Sequence, residues 1–258
     1  MALLRTANPA LRPKTFESVQ AGADASLAMT LQGTVNKTGI LLTLVAIAAI
    51  YTWNTYRTDP AAAGGWLLLG ALGGFIVALV TVFKKPWAVV TAPLYAVLEG
   101  LLLGAVSAMF EARYPGLAIQ AVGLTFGTLL AMLIAYTSGL IKASQNFKMG
   151  VVAATGGIAL LYLATIGLGF FGVQVPHIYA NGTVGILFSL FVVVVAALNL
   201  VLDFDLIETG VASRAPKFME WYCAFGLLVT LVWLYLEILK LLAKLQGNRG
   251  SRSSGASS

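Results

Sequence analysis

The sequence predicts an all-α polytopic membrane protein, a bundle of seven transmembrane helices. Composition is the first sign: 59% of the 258 residues are apolar and 10% charged, and the mean hydropathy is +0.89. A soluble domain carries about 25% charged residues, and this chain has far too few to cover a water-facing surface. Second, apolar blocks recur near the about 20 residues that span a bilayer. Third, those blocks lack the polar–apolar alternation of barrel strands, so they are helices. Soluble, disordered and fibrous classes are thereby excluded. The single cysteine, Cys223, excludes a disulfide framework, and the single histidine, His177, excludes histidine-cluster zinc chemistry. The net charge of +6 is spread over short loops, where setting orientation is a simpler use than binding nucleic acid.

Residues 1–36 are polar, with Arg5, Arg12 and Lys14 but no apolar core behind them, and read as a cytoplasmic tail rather than a signal peptide. A transmembrane domain over 37–245 follows. Its spans are Thr38–Tyr56, Gly64–Phe83, Trp87–Phe110, Leu117–Ser138, Met149–Val173, Asn181–Leu202 and Trp221–Lys244. The connections hold helix breakers or charges: Arg57 to Pro60, Lys84 to Pro86, Arg113 to Gly116, Lys142 to Lys148, Pro176-His177, and Arg214 to Lys217. Residues 246–258 are Gly/Ser-rich and read as a disordered tail.

Ten of the twelve Lys and Arg residues that precede the first span or lie in the interhelical loops, Lys37 included, fall before that span and in the even-numbered loops. The positive-inside rule places them, and the N-terminus, in the cytoplasm. Seven crossings would then send the C-terminus outside, although Lys240, Lys244, Arg249 and Arg252 follow. Either Lys240 and Lys244 snorkel from the last turns, or the last helix does not cross fully. The small-residue pairs Gly70/Gly74, Gly100/Gly104 and Gly123/Gly127 read as internal packing seams. Trp53, Trp66, Trp87 and Trp221 read as interfacial anchors.

The chain has only ten acids, so their positions carry information. Glu17, Asp24, Asp59 and Glu111 fall in tails or loops, whereas Glu99 is centred in the third span and Glu237 lies within the seventh. Asp203, Asp205 and Glu208 cluster where the sixth span ends, the last two positioned to sit in water beyond the helix. A carboxylate at the bilayer centre costs about 2.5–3.5 kcal/mol on the lenient scale, so it must be protonated, paired or facing a watery cavity. Glu99 reads equally as helix–helix glue in its protonated form. No catalytic set accompanies these acids: there is no Gly-x-Ser-x-Gly elbow and no His-Glu-x-x-His, so no enzyme activity and no cofactor is expected.

The strings Ala96 to Gly104, Asn199 to Ile207 and Leu234 to Leu242, in that order on seven spans, resemble the Bax inhibitor-1 family, and most closely its bacterial YccA-like branch. The resemblance implies a bundle whose last helix is central, in a bacterial inner membrane. It also implies a pH-sensitive calcium or cation leak controlled by a carboxylate pair between helices six and seven. On that pattern Asp203 and Glu237 occupy the paired positions, and Glu99 matches a third-helix element. Lys84 and Lys85 stand at the family's basic run and are candidate cationic partners. The seventh-helix acid is Glu where Asp is usual, and the stretch between the two acids is longer than the family's, so Asp205 remains a rival for the pair. Two carboxylates close together in low dielectric share a proton; losing it would separate the helices and offer oxygens to a hard cation, with calcium held transiently at Asp203 and Glu237. The alternative is a non-conducting modulator of a membrane protease or stress-response partner, with the N-terminal tail as its contact surface.

Orientation is testable without the family. A thiol label on Ser213→Cys, with Cys223 replaced by Ala, should react only from the cytoplasm. Labelling from outside intact cells would overturn the topology.

Overall fold

The computed structural model describes residues 27–171 and 182–254. The N-terminal tail up to residue 26 and His177 lie outside the described residues. Seven helices are long and apolar enough to cross a membrane. They are α1 (Leu31–Thr58), α2 (Pro60–Phe83), α3 (Ala88–Arg113), α4 (Leu117–Thr137), α5 (Gln145–Phe170), α6 (Thr183–Ala212) and α7 (Met219–Ser254). A short 3-10 turn, Lys85–Trp87, links α2 to α3.

Local chemistry starts several of the helices. The Thr30 hydroxyl accepts from Gly33 N–H (2.9 Å) and caps α1. Asp59 accepts from Ala61 and Ala62 N–H (3.0 and 3.1 Å), with Pro60 in the first turn of α2, where its missing N–H costs nothing. Glu111, a loop residue by sequence, reaches back to accept from Gly116 and Ala118 N–H (2.6 and 3.0 Å) at the start of α4. These bonds satisfy amides that hydrocarbon would leave without partners.

The last helix is the axis of the bundle. In its apolar stretch 61% of residues are buried, against 11% in α5. It packs on α1, α3, α4 and α6, and the main apolar core runs along it through Phe225, Leu228, Leu231, Leu234, Ile238 and Leu239. Interhelical polar contacts reinforce the packing: Ser107 and Tyr235 hydroxyls bond at 2.6 Å, Thr81 donates to Thr91 (2.8 Å), and Asn199 donates to Thr155 (2.8 Å). Tyr95 meets Phe225 edge-on at 4.9 Å.

Two of the three glycine pairs form seams. A Cβ on Gly100 would stand 2.5 Å from the Val45 carbonyl oxygen, and one on Gly104 would strike the Ala49 backbone, so α3 lies directly against α1. Gly70 is likewise closed by the backbone at Leu98 and Leu102 of α3. The Gly123/Gly127 pair, expected to pack in the same way, meets nothing within 4 Å.

The helices outrun their apolar blocks. Residues 31–36, assigned to the tail by composition, form the first turns of α1. The sixth helix continues beyond Leu202 to Ala212, and α7 runs through Ser254, past the point where a disordered tail was expected. Propagating a formed helix fixes one residue per hydrogen bond, and α7 continues in this way through Arg249 and Arg252 despite Gly247 and Gly250.

Gly100→Leu should destabilise the protein by about 1–3 kcal/mol or more through overpacking against α1, whereas Gly123→Leu should stay within about 0.5 kcal/mol. Thermal unfolding in detergent measures both; equal losses would contradict the α1–α3 seam.

Candidate functional site

Polar chemistry on α7 falls at three levels. The first is the end of the bundle where α1 and α7 begin. Glu220 is fully buried there and accepts from Thr30 N–H (2.8 Å), the Thr30 hydroxyl (3.0 Å), Lys217 Nζ (2.8 Å) and Lys37 Nζ. A side chain on Gly33 would occupy the place of this carboxylate. Beside it, Met29 N–H donates to the Ala215 carbonyl (2.7 Å) and Lys217 N–H to the Leu27 carbonyl (2.9 Å). The segment entering α1 is thus latched to the α6–α7 connection. Arg214 adopts left-handed backbone there (φ 52°) and closes α6. Sequence reasoning missed Glu220; its signal was an acid three residues after Lys217, the i,i+3 spacing of a helical ion pair.

The sixth helix presents its other acids at the same end. Asp205 pairs with Lys148 at the start of α5, and the Tyr136 hydroxyl of α4 donates to Glu208. Neither acid lies beyond the helix end as expected, because α6 continues past both. Asp205 is therefore tied to a lysine rather than to the seventh helix. Lys85 sits 5.3 Å over the Tyr222 ring, and Lys84 caps α2 through its backbone N–H. Among the described residues neither lysine forms a salt bridge with Asp203 or Glu237.

The second level is within the membrane. Asp203 faces α7 at its barest point, with Oδ1 3.8 Å from where a Cβ on Gly226 would stand, and Thr230 one turn further on interacts with its carboxyl. Its Oδ2 is buried without a hydrogen-bond partner among the described residues. Glu99 is the other such group. It is buried on α3 beside Tyr95 and packs on Gly74 of α2, and its Oε2 likewise lacks a partner.

The third level is the opposite end. Glu237 is 1% exposed and accepts from the Tyr162 hydroxyl of α5 (3.0 Å) and from Lys240 Nζ (2.9 Å). Lys244 donates to Ser189 Oγ (2.8 Å) and the Gly185 carbonyl (3.1 Å), both on the first turns of α6. Lys240, whose side chain stays 44% exposed, is thus bonded to Glu237, and Lys244 to the start of α6.

Glu237 lies inside the bundle as the energetic argument requires, but it does not face the end of α6 that carries Asp203. It stands eleven residues beyond Gly226, on nearly the same face of α7, which is about 16 Å along the axis. The proposed pair is not brought together, and calcium shared between these two carboxylates has no geometric basis. Among the described residues no three Asp, Glu, His or Cys side chains converge into a metal-binding group.

The sequence pattern of the Bax inhibitor 1 like family matches residues 8–247, which includes all seven spans. The chain belongs to that family. No curated protein matches it at a significant level. In this Bax inhibitor 1 like protein the family's expected carboxylates are present, but the sixth- and seventh-helix members occupy separate levels.

Glu220→Ala should cost on the order of 3 kcal/mol, the low end for breaking a buried pair, because Lys217 retains access to water. Chemical unfolding in detergent measures it, and a loss below 1 kcal/mol would reduce the latch to a surface contact.

Proposed function

We propose that this protein is a non-enzymatic cation leak pathway in which a proton on Asp203 controls the contact between α6 and α7. The observation that carries the reading is a carboxylate inside a membrane-spanning helix, one oxygen without a partner, aimed at a glycine on the central helix. Protonated, Asp203 is neutral and α6 packs on Gly226. Ionised, it places an uncompensated charge in low dielectric, which favours opening of the contact and entry of water or a cation. Glu99 supplies a second carboxylate beside the packed core of α3. The closer resemblance to the YccA-like branch supports a bacterial inner membrane with the N-terminus cytoplasmic, and calcium is the cation it suggests.

A second reading, a non-conducting modulator, draws support from the latch. Leu27, Met29 and Thr30 hold the α6–α7 connection, so a membrane-protein partner pulling on the preceding tail would act directly on these two helices.

Proteoliposome flux separates the two. Calcium entry should exceed that of empty liposomes and rise with pH as Asp203 deprotonates. Asp203→Asn should flatten the pH dependence, whereas Glu237→Gln should leave it in place, since Glu237 is already paired with Lys240. No flux above empty liposomes at any pH would sink the leak and leave the modulator.

A further inference from the structure

Around Glu237 the ends of α3, α5, α6 and α7 enclose a cavity of about 340 Å³. Among the described residues its lining includes Arg113, Lys240 and Lys244 against a single acid, Glu237. Three cations and one anion leave a net charge of +2 on the walls. The arrangement is costly for the protein alone: Lys240 and Lys244 are one turn apart on α7 and project into the same space, a spacing at which like charges repel. Their positions are nevertheless held. Lys240 is bonded to Glu237 and lies 5.3 Å over the Tyr162 ring, Lys244 is anchored on Ser189 and Gly185, and Arg113 lies 5.7 Å from the Tyr114 ring. Neutral hydroxyls of Ser189 and Tyr114 complete the lining, while that of Tyr162 is given to Glu237.

We propose that this cavity binds a phosphate-class oxyanion at the end of the bundle opposite the latch. The guanidinium of Arg113 offers a planar fork and the two ammonium groups offer point charges, the donor set that suits tetrahedral phosphate oxygens. The lysines that end α7 thereby gain a role independent of orientation. The same chemistry is carried by the phosphodiester of an anionic lipid and by free phosphate. The inference does not rest on the leak reading, because none of these residues touches Asp203.

Purified full-length protein tests it in two arms. Native mass spectrometry after incubation with phosphatidylglycerol or phosphatidylcholine reports the lipid source, and thermal stability in inorganic phosphate against chloride at equal ionic strength reports the free ion. Retention of phosphatidylglycerol over phosphatidylcholine, stabilisation by phosphate, or both is expected. The double variant R113Q/K244Q should weaken whichever is seen by about tenfold or more, as expected for losing charge-assisted bonds. Glu237→Gln should strengthen it, because the one negative wall charge among the described residues is removed; a role limited to holding the helix ends together predicts no such gain. If the double variant does not fold, the direction of the Glu237→Gln effect decides. Absence of both preferences in the wild type, unchanged binding in a folded R113Q/K244Q, or weaker binding in Glu237→Gln would each overturn the site.

Discussion

An ionisable side chain carried into hydrocarbon has to be enclosed by protein, and α7 carries more of them than its neighbours tolerate on a lipid face. Glu220, Glu237, Lys240 and Lys244 all lie on this one helix. Leaving any of its carboxylates toward lipid would cost several kcal/mol with no partner to offset it. Helices α1, α3, α4 and α6 therefore pack around α7. The glycine seams that bring α3 against α1 and α2 follow from that requirement, because the inner layer must be thin for the outer helices to reach around it.

The two ends of α7 solve the charge problem alike. At one end Glu220 is met by two lysines and by both donors of Thr30; at the other Glu237 is met by Lys240 and the Tyr162 hydroxyl. Each is a buried carboxylate with a cation three residues away on the same chain, and each ties α7 to a helix distant in sequence. Between them the solution changes. Asp203 meets a glycine and a threonine, and among the described residues it forms no salt bridge. On the proposed reading, a helix clamped at two levels with a carboxylate set against Gly226 between them would respond to protons without unfolding, unlike the ion pairs around it.

The displacement of Glu237 from Asp203 follows from chain length. Eleven residues of additional helix past Gly226 keep Glu237 on nearly the same face of α7 but move it about three turns away. A motif read in order along the sequence preserves the face and loses the height. The same blindness affects Gly123/Gly127, whose spacing is correct for packing but whose side of α4 meets no neighbour.

Hydropathy determined the number of spans, and composition excluded every soluble class, because both depend on local apolar content that hydrocarbon selects directly. The cost of intramembrane charge was also legible: Glu99, Asp203 and Glu237 stand out in any reading of ten acids among 258 residues. Which partners those acids meet was decided only by tertiary structure. Glu220 lies 190 positions from Thr30 and 183 from Lys37, and nothing in the intervening chain encodes that contact. Asp205 and Glu208 looked solvated because the apolar block ends before them; Glu208 is indeed exposed, but Lys148 and Tyr136 arrive from other helices to meet the two acids. Periodicity reports which face of a helix is buried, whereas the identity of what covers that face depends on how seven helices share one axis.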